Sequence, residues 1–147
     1  EKHLEAYVAD IVEAAGMQDQ VLVMSLNYPG IQKMKSIRPD WDVGLLSSVA
    51  VGDITRLQAD FFAINARFAT RKFIKHAHQR NRKVMVWTVN DPISMSAVMS
   101  KGVDGIITDK PGLASMVRSE RAELGARERV MIQIASLIGR QPKRPEQ

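Results

Sequence analysis

A parallel α/β fold is what this sequence predicts, and two patterns carry the prediction. Five short apolar runs recur about every twenty residues, and each is followed by a segment with helical spacing. Polar residues gather just after those runs: Ser25 and Asn27, Ser47 and Ser48, Asn65, Thr88 and Asn90, Thr108 and Asp109. Alternating strands and helices imply parallel pairing through right-handed crossovers. The polar set then marks the strand C-terminal ends, where ligands bind in doubly wound sheets and barrels alike. Periodicity does not separate those two architectures. Many of these polar residues also serve as turn formers, so the clustering locates a face without naming a chemistry.

The chain opens on a helical stripe from Lys2 to Ala15, with apolar residues at Leu4, Tyr7, Val8, Ile11, Val12 and Ala15. Only Glu1 precedes it, with no capping residue or lead-in, so an N-terminal cut is expected. Val21 to Ser25 is apolar nearly throughout, as a parallel strand buried on both faces should be. Pro29 to Ile37 has helical spacing through Ile31, Met34 and Ile37, and Pro39 ends it. Val43 to Leu46 is the next strand, followed by a brief helical turn from Asp53 to Leu57 with Asp53 as its N-cap. Phe61 to Ile64 forms a strand ending at Asn65, and Thr70 caps a helix running to about Arg80. Val84 to Val89 is the strongest strand signal. Asp91 caps a helix from Pro92 to Ser100, with proline at the favoured first position. Gly105 to Thr108 is the last strand, and Pro111 opens a helix through Met116.

Composition narrows the class. Of 147 residues, 45% are hydrophobic and 25% charged, ordinary for a globular domain with a sizeable core. The chain has no cysteine, which excludes disulfides and thiolate metal sites. The net charge of +5 is densest between Arg118 and Arg144. Such a stretch can meet anionic lipid or nucleic acid, but a solvated helix and a frayed end account for it as well, and no nucleic-acid partner is expected. No run approaches the roughly 18 apolar residues of a membrane-spanning helix.

Several chemistries lack their motif. No G-x-G-x-x-G follows a strand and no P-loop occurs, so nucleotide sites of those kinds are unsupported. No G-x-S-x-G elbow offers a serine nucleophile. His76 and His78 stand two apart on a helix and so point to different sides, which rules out a shared metal. Asp91 reads as a cap, and Asp104 opens a strand at the end opposite the candidate face. Asp109 lies at that face as a lone carboxylate beside Lys110. No catalytic residue and no metal ligand is assigned.

Two stretches are specific. Val84 to Pro92 (VMVWTVNDP) and Gly102 to Pro111 (GVDGIITDKP) resemble the last two strand motifs of the glycerophosphodiester phosphodiesterase family. The upstream pieces resemble it in order: VLVMSLN, RPDWDVGLL, then ADFFAIN and the helix containing AHQRNRKV. The resemblance covers residues 1 to 117 and implies a parallel (β/α) barrel of about 250 residues in its complete form. By motif order this chain would hold strands four to eight of eight. The family's His-Arg pair, its further histidine and its metal-binding carboxylates belong to the first three strand units, so the resemblance implies metal-assisted diester hydrolysis, with Mg or Ca, in a complete enzyme and none in this segment.

The resemblance also carries over Trp87 as an aromatic wall for the glycerol or leaving alcohol. Asn27, Asn65 and Asn90 are the further substrate-binding candidates on the same rim. Leu26 stands where the family more often has phenylalanine. Residues 118 to 139 read as a helical extension, including a helix from Arg127 to Ile138, and residues 140 to 147 as a disordered tail. The extension resembles the tail of bacterial members with an N-terminal membrane domain, which implies a membrane-attached parent. The functional expectation is a piece of an enzyme that hydrolyses glycerophosphodiesters to an alcohol and glycerol 3-phosphate. The alternative is a non-catalytic half-barrel that binds phosphate or lipid head groups. Open strand edges predict self-association of the chain in either case.

Overall fold

The computed structural model describes residues 4–48 and 53–124, together with the single positions 131 and 134. The expected helix from Arg127 to Ile138, the tail and His3 lie outside the described residues.

Five strands form one parallel sheet in sequential order: β1 (Val23–Ser25), β2 (Val43–Ser47), β3 (Phe61–Asn65), β4 (Lys83–Trp87) and β5 (Gly105–Ile106). Helix α1 (Leu4–Ala14) precedes them, and α2 (Tyr28–Ile37), α3 (Arg71–His78), α4 (Pro92–Lys101) and α5 (Pro111–Glu123) follow β1, β3, β4 and β5. Among the described residues between β2 and β3 there is a 3-10 turn, Ile54–Arg56. The caps read from sequence are made: the side chains of Asp53, Thr70 and Asp91 accept hydrogen bonds from the backbone N–H groups of Thr55, Phe73 and Ser94.

Strand alternation divides the sheet into two faces. On the helix side, Val43, Leu45, Phe62, Ile64, Val84 and Val86 pack against Ile31, Met34, Ile74, Ala77, Met95 and Val98 in one continuous core. Phe62 and Phe73 meet edge to face, with ring centroids 6.1 Å apart. The other face carries Met24, Gly44, Phe61, Ala63, Met85 and Gly105. Here large side chains sit beside small ones. The Phe61 ring lies across Gly44, its register partner on β2, and Met85 lies against Gly105.

The strand N-terminal ends are joined by carboxylates. Asp60, just before β3, accepts hydrogen bonds from the Val43 N–H at 2.9 Å and from Lys35 Nζ at 2.8 Å. Asp104, just before β5, repeats the arrangement with the Val84 N–H at 2.6 Å and His78 Nε2 at 2.8 Å. Lys83 pairs with Asp42 at 2.9 Å, and that hydrogen bond and the negative charge raise the lysine's pKa above its ordinary value. Outside the sheet, α1 is tied to the end of α2 through Glu13 and Arg38, whose hydrogen bond holds the Glu13 carboxyl below the usual carboxylate range.

β4 runs from Lys83 to Trp87 rather than from Val84 to Val89, and three further expectations differ for a local reason. β1 is not buried on both faces: Leu22 is 44% and Met24 37% exposed, because the strand has one neighbour and no described residue covers its non-helix face. β5 is two residues long rather than four. After the Ile107 N–H bonds to the Val86 carbonyl and the Val89 N–H to that of Ile107, the Asp109 N–H meets the Asn90 side chain instead of backbone. α5 continues past Met116 to Glu123, because Val117 is buried in the core and Arg121 Nη1 donates to Ser96 Oγ on α4 at 2.6 Å.

Candidate functional site

The C-terminal ends of the strands place the predicted residues on one rim, but with different degrees of freedom. Trp87 ends β4 and Asn65 ends β3, and the two are register partners, so their side chains stand on the same face of adjacent strands. Adjacent strands lie about 4.8 Å apart, which makes these side chains immediate neighbours. Trp87 is half-buried, and its Nε1–H donates to the Ala63 carbonyl at 3.0 Å. That bond lays the indole back over β3 and leaves its ring, not its N–H, for a ligand. Ala63 makes room for this because its own inward group is a single methyl. The peptide bond between Trp87 and Thr88 is cis.

Asn65 folds its Oδ1 back onto the Arg67 N–H at 3.1 Å, opening a 3-10 turn over Ala66–Phe68. Its Nδ2 has no partner among the described residues. Arg67, the cation next to it, is stacked over the Phe68 ring at 4.6 Å from the centroid.

Asn90 is held quite differently. Its Oδ1 accepts from Thr108 Oγ1 at 2.9 Å and from the Asp109 N–H at 2.9 Å, while its Nδ2 donates to Asp109 Oδ2 at 2.7 Å. Thr108 Oγ1 in turn accepts from the Lys110 N–H at 3.0 Å. Asn90 therefore closes the β4 and β5 loops on each other, with both halves of its amide engaged. Asn27 is exposed at the N-cap of α2, and its side chain makes no cap hydrogen bond. Leu26 beside it is 67% exposed on the same side of β1 as Leu22 and Met24.

The charged groups at this end are few. Asp91 caps α4, and hydrogen bonds from the Ser94 backbone and hydroxyl hold its carboxyl below the usual range. Asp109 is oriented by Asn90. His78 lies at the opposite end of the sheet against Asp104. Among the described residues no three His, Cys, Asp or Glu side chains converge, so these residues do not fit a divalent-cation site. Ala63 and Arg67 were not singled out from the sequence, and Thr108 was placed on the face without its bond to Asn90. Their parts depend on strand register and on which amide half is spent, and residue spacing carries neither.

The segment 5–113 matches the Glycerophosphoryl diester phosphodiesterase family. A glycerophosphodiester phosphodiesterase of Caldanaerobacter subterraneus subsp. tengcongensis is 22% identical over 120 residues, spanning 78% of this chain and 49% of that protein. One from Bacillus altitudinis is 24% identical over 123 residues, 80% of this chain and 50% of that protein. Among solved structures, a glycerophosphodiester phosphodiesterase from Parabacteroides distasonis superposes with a TM-score of 0.72 at 20% identity, covering 81% of this chain and 51% of that one. An Oleispira antarctica phosphodiesterase in complex with the product sn-glycerol-3-phosphate gives 0.66 at 21% identity, covering 78% and 50%. The chain thus spans about half the length of the relatives it matches. Its five-stranded parallel sheet is an incomplete barrel of their fold.

Proposed function

The chain belongs to the glycerophosphoryl diester phosphodiesterase family, and on that premise we propose that it forms the alcohol- and glycerol-facing part of an enzyme hydrolysing glycerophosphodiesters to an alcohol and glycerol 3-phosphate. The observation that carries this reading is the rim where Trp87 offers its ring beside the free amide of Asn65, within the family-matched segment. Trp87 would pack on the C–H edges of the bound moiety. Asn65 and the exposed Asn27 would reach its oxygens, and Asn90 would keep the rim in shape.

Residues 1–117 form the barrel portion in this reading, with 118–139 a helical extension and 140–147 a tail. The acid–base histidines and the carboxylates for Mg or Ca would come from the parent's other strands, and no chemical step is assigned to the residues described here. The parent would sit at a membrane through a domain other than this one; no described helix is long and apolar enough to cross one.

Two measurements test the reading. Purified chain, given glycerophosphoethanolamine with Mg²⁺ or Ca²⁺, should release no glycerol 3-phosphate. The same reading frame extended upstream by three further β/α units should do so. Turnover by the chain alone would overturn the assignment of its missing parts. An inactive extended protein would favour the non-catalytic binding half-barrel. Sedimentation velocity should show the chain self-associating through its two free strand edges and the exposed Leu22, Met24 and Leu26. A monodisperse monomer with a sharp thermal transition would count against an open half-barrel.

A further inference from the structure

Within that binding reading, the hydrogen bonds at the rim separate two asparagines that the sequence treats alike. Asn90 has spent both amide halves on Thr108 and Asp109, so it has no group to give a ligand without breaking the turn it closes. Asn65 has spent only its oxygen, on the Arg67 N–H. With Oδ1 engaged, the side chain cannot flip to present its oxygen unless the Asn65–Arg67 turn opens. What it offers is an N–H donor and nothing else.

The surroundings indicate which acceptor suits that donor. A phosphate dianion is bound best by cations and by several convergent N–H groups. Asn65 supplies one neutral amide, and the cation beside it, Arg67, has its guanidinium stacked over Phe68. Its register partner on the next strand is Trp87, whose indole N–H is committed to Ala63 and whose ring is left to contact C–H groups. An apolar ring beside a single neutral donor matches a carbon chain bearing hydroxyls.

We propose that Asn65 is a specificity residue that donates through Nδ2 to a hydroxyl oxygen of the glycerol moiety lying on the Trp87 ring, whereas Asn90 is a latch that shapes the rim without touching the ligand. The proposal rests on the binding reading above and goes beyond it by separating hydroxyl from phosphoryl recognition.

Side-chain amide and indole resonances of the ¹⁵N-labelled chain test it directly. Asn65→Asp and Asn90→Asp assign the two amide pairs by loss of signal, and Trp87→Phe separates its indole from that of Trp41. Titration with sn-glycerol 3-phosphate should move the Asn65 amide and the Trp87 indole together and saturably, leaving the Asn90 amide in place. Inorganic phosphate alone should leave Asn65 unmoved. Asn65→Ala should weaken the glycerol 3-phosphate response about fivefold, as expected for one neutral hydrogen bond. Asn90→Ala should instead speed amide exchange at Asp109 and Lys110. An indole that shifts while Asn65 stays fixed would sink this proposal and leave the binding reading standing. An Asn65 response to phosphate alone would overturn the hydroxyl assignment. Silence at every rim resonance, up to the highest soluble ligand concentration, would remove the proposal and the binding reading together.

Discussion

Replacing Gly44 by alanine should destabilise the chain by about 3 kcal/mol, a loss comparable to the upper range for overpacking a filled interior. A Cβ built on Gly44 would lie 2.1 Å from Phe61 Cε2, with two further ring atoms at 2.3 and 2.4 Å. Carbon atoms attract at about 3.5–4.0 Å and repel steeply inside that, so the ring or the strand must move. Phe61 has nowhere easy to go. It is 0% exposed, and its backbone is paired in register with Gly44 on one side and Lys83 on the other. The usual gain from removing a strand glycine, roughly 0.5–1 kcal/mol, is too small to offset this.

Gly105 is the control. Its added Cβ would meet Met85 Cγ at 3.3 Å, and a methionine can swing away from a contact of that size. Gly105→Ala should therefore stay within about 0.5 kcal/mol of the parent. Phe61→Leu combined with Gly44→Ala should lose less than the two single changes add to, since the smaller side chain vacates the collision. Urea unfolding of the four variants measures this. An additive double variant would mean that Phe61 and Gly44 do not bear on each other.

That pair also shows how far the sequence could be read. The five strands and the caps at Asp53, Thr70 and Asp91 follow from local signals, because apolar runs, helical spacing and cap chemistry act over a few residues. Register does not. GLL and FFAIN fix two strands, but nothing in either says that Gly44 faces Phe61 or that Trp87 will find the Ala63 carbonyl. The same holds at the rim. Asn65 and Asn90 each end a strand segment in a similar context, and only the structure shows one amide half-free and the other fully engaged. Edge effects were missed for a related reason. Val21–Ser25 has the composition of a central strand, and its exposure depends on what stands beside it. Motif resemblance reached further than periodicity, since it named the barrel where alternation alone left two architectures open.

Asp60→Ala and Asp104→Ala should each cost about 2–3 kcal/mol, although neither residue lies near the candidate rim. Both precede a strand, and both accept an N–H from the start of the strand before it: Val43, the first residue of β2, for Asp60 and Val84, the second of β4, for Asp104. Each also holds a nitrogen from the helix between those elements or beside them, Lys35 Nζ on α2 and His78 Nε2 on α3. The two contributions are unequal in kind. Lys35 and His78 are substantially exposed, with side-chain accessibilities of 40% and 42%, so these contacts are surface ones worth at most about 1 kcal/mol. The strand N–H groups belong to Val43 and Val84, 1% and 0% exposed, and removal of the carboxylate leaves a donor there without its acceptor. Asparagine at either position keeps an acceptor oxygen and should recover about half of the loss. Lys35→Met and His78→Leu, by contrast, should each cost less than about 1 kcal/mol. Chemical denaturation of the six variants distinguishes the two contributions. Equal losses for Asp60→Ala and Lys35→Met would show that the ion pair, rather than the strand clasp, holds the N-terminal end of the sheet.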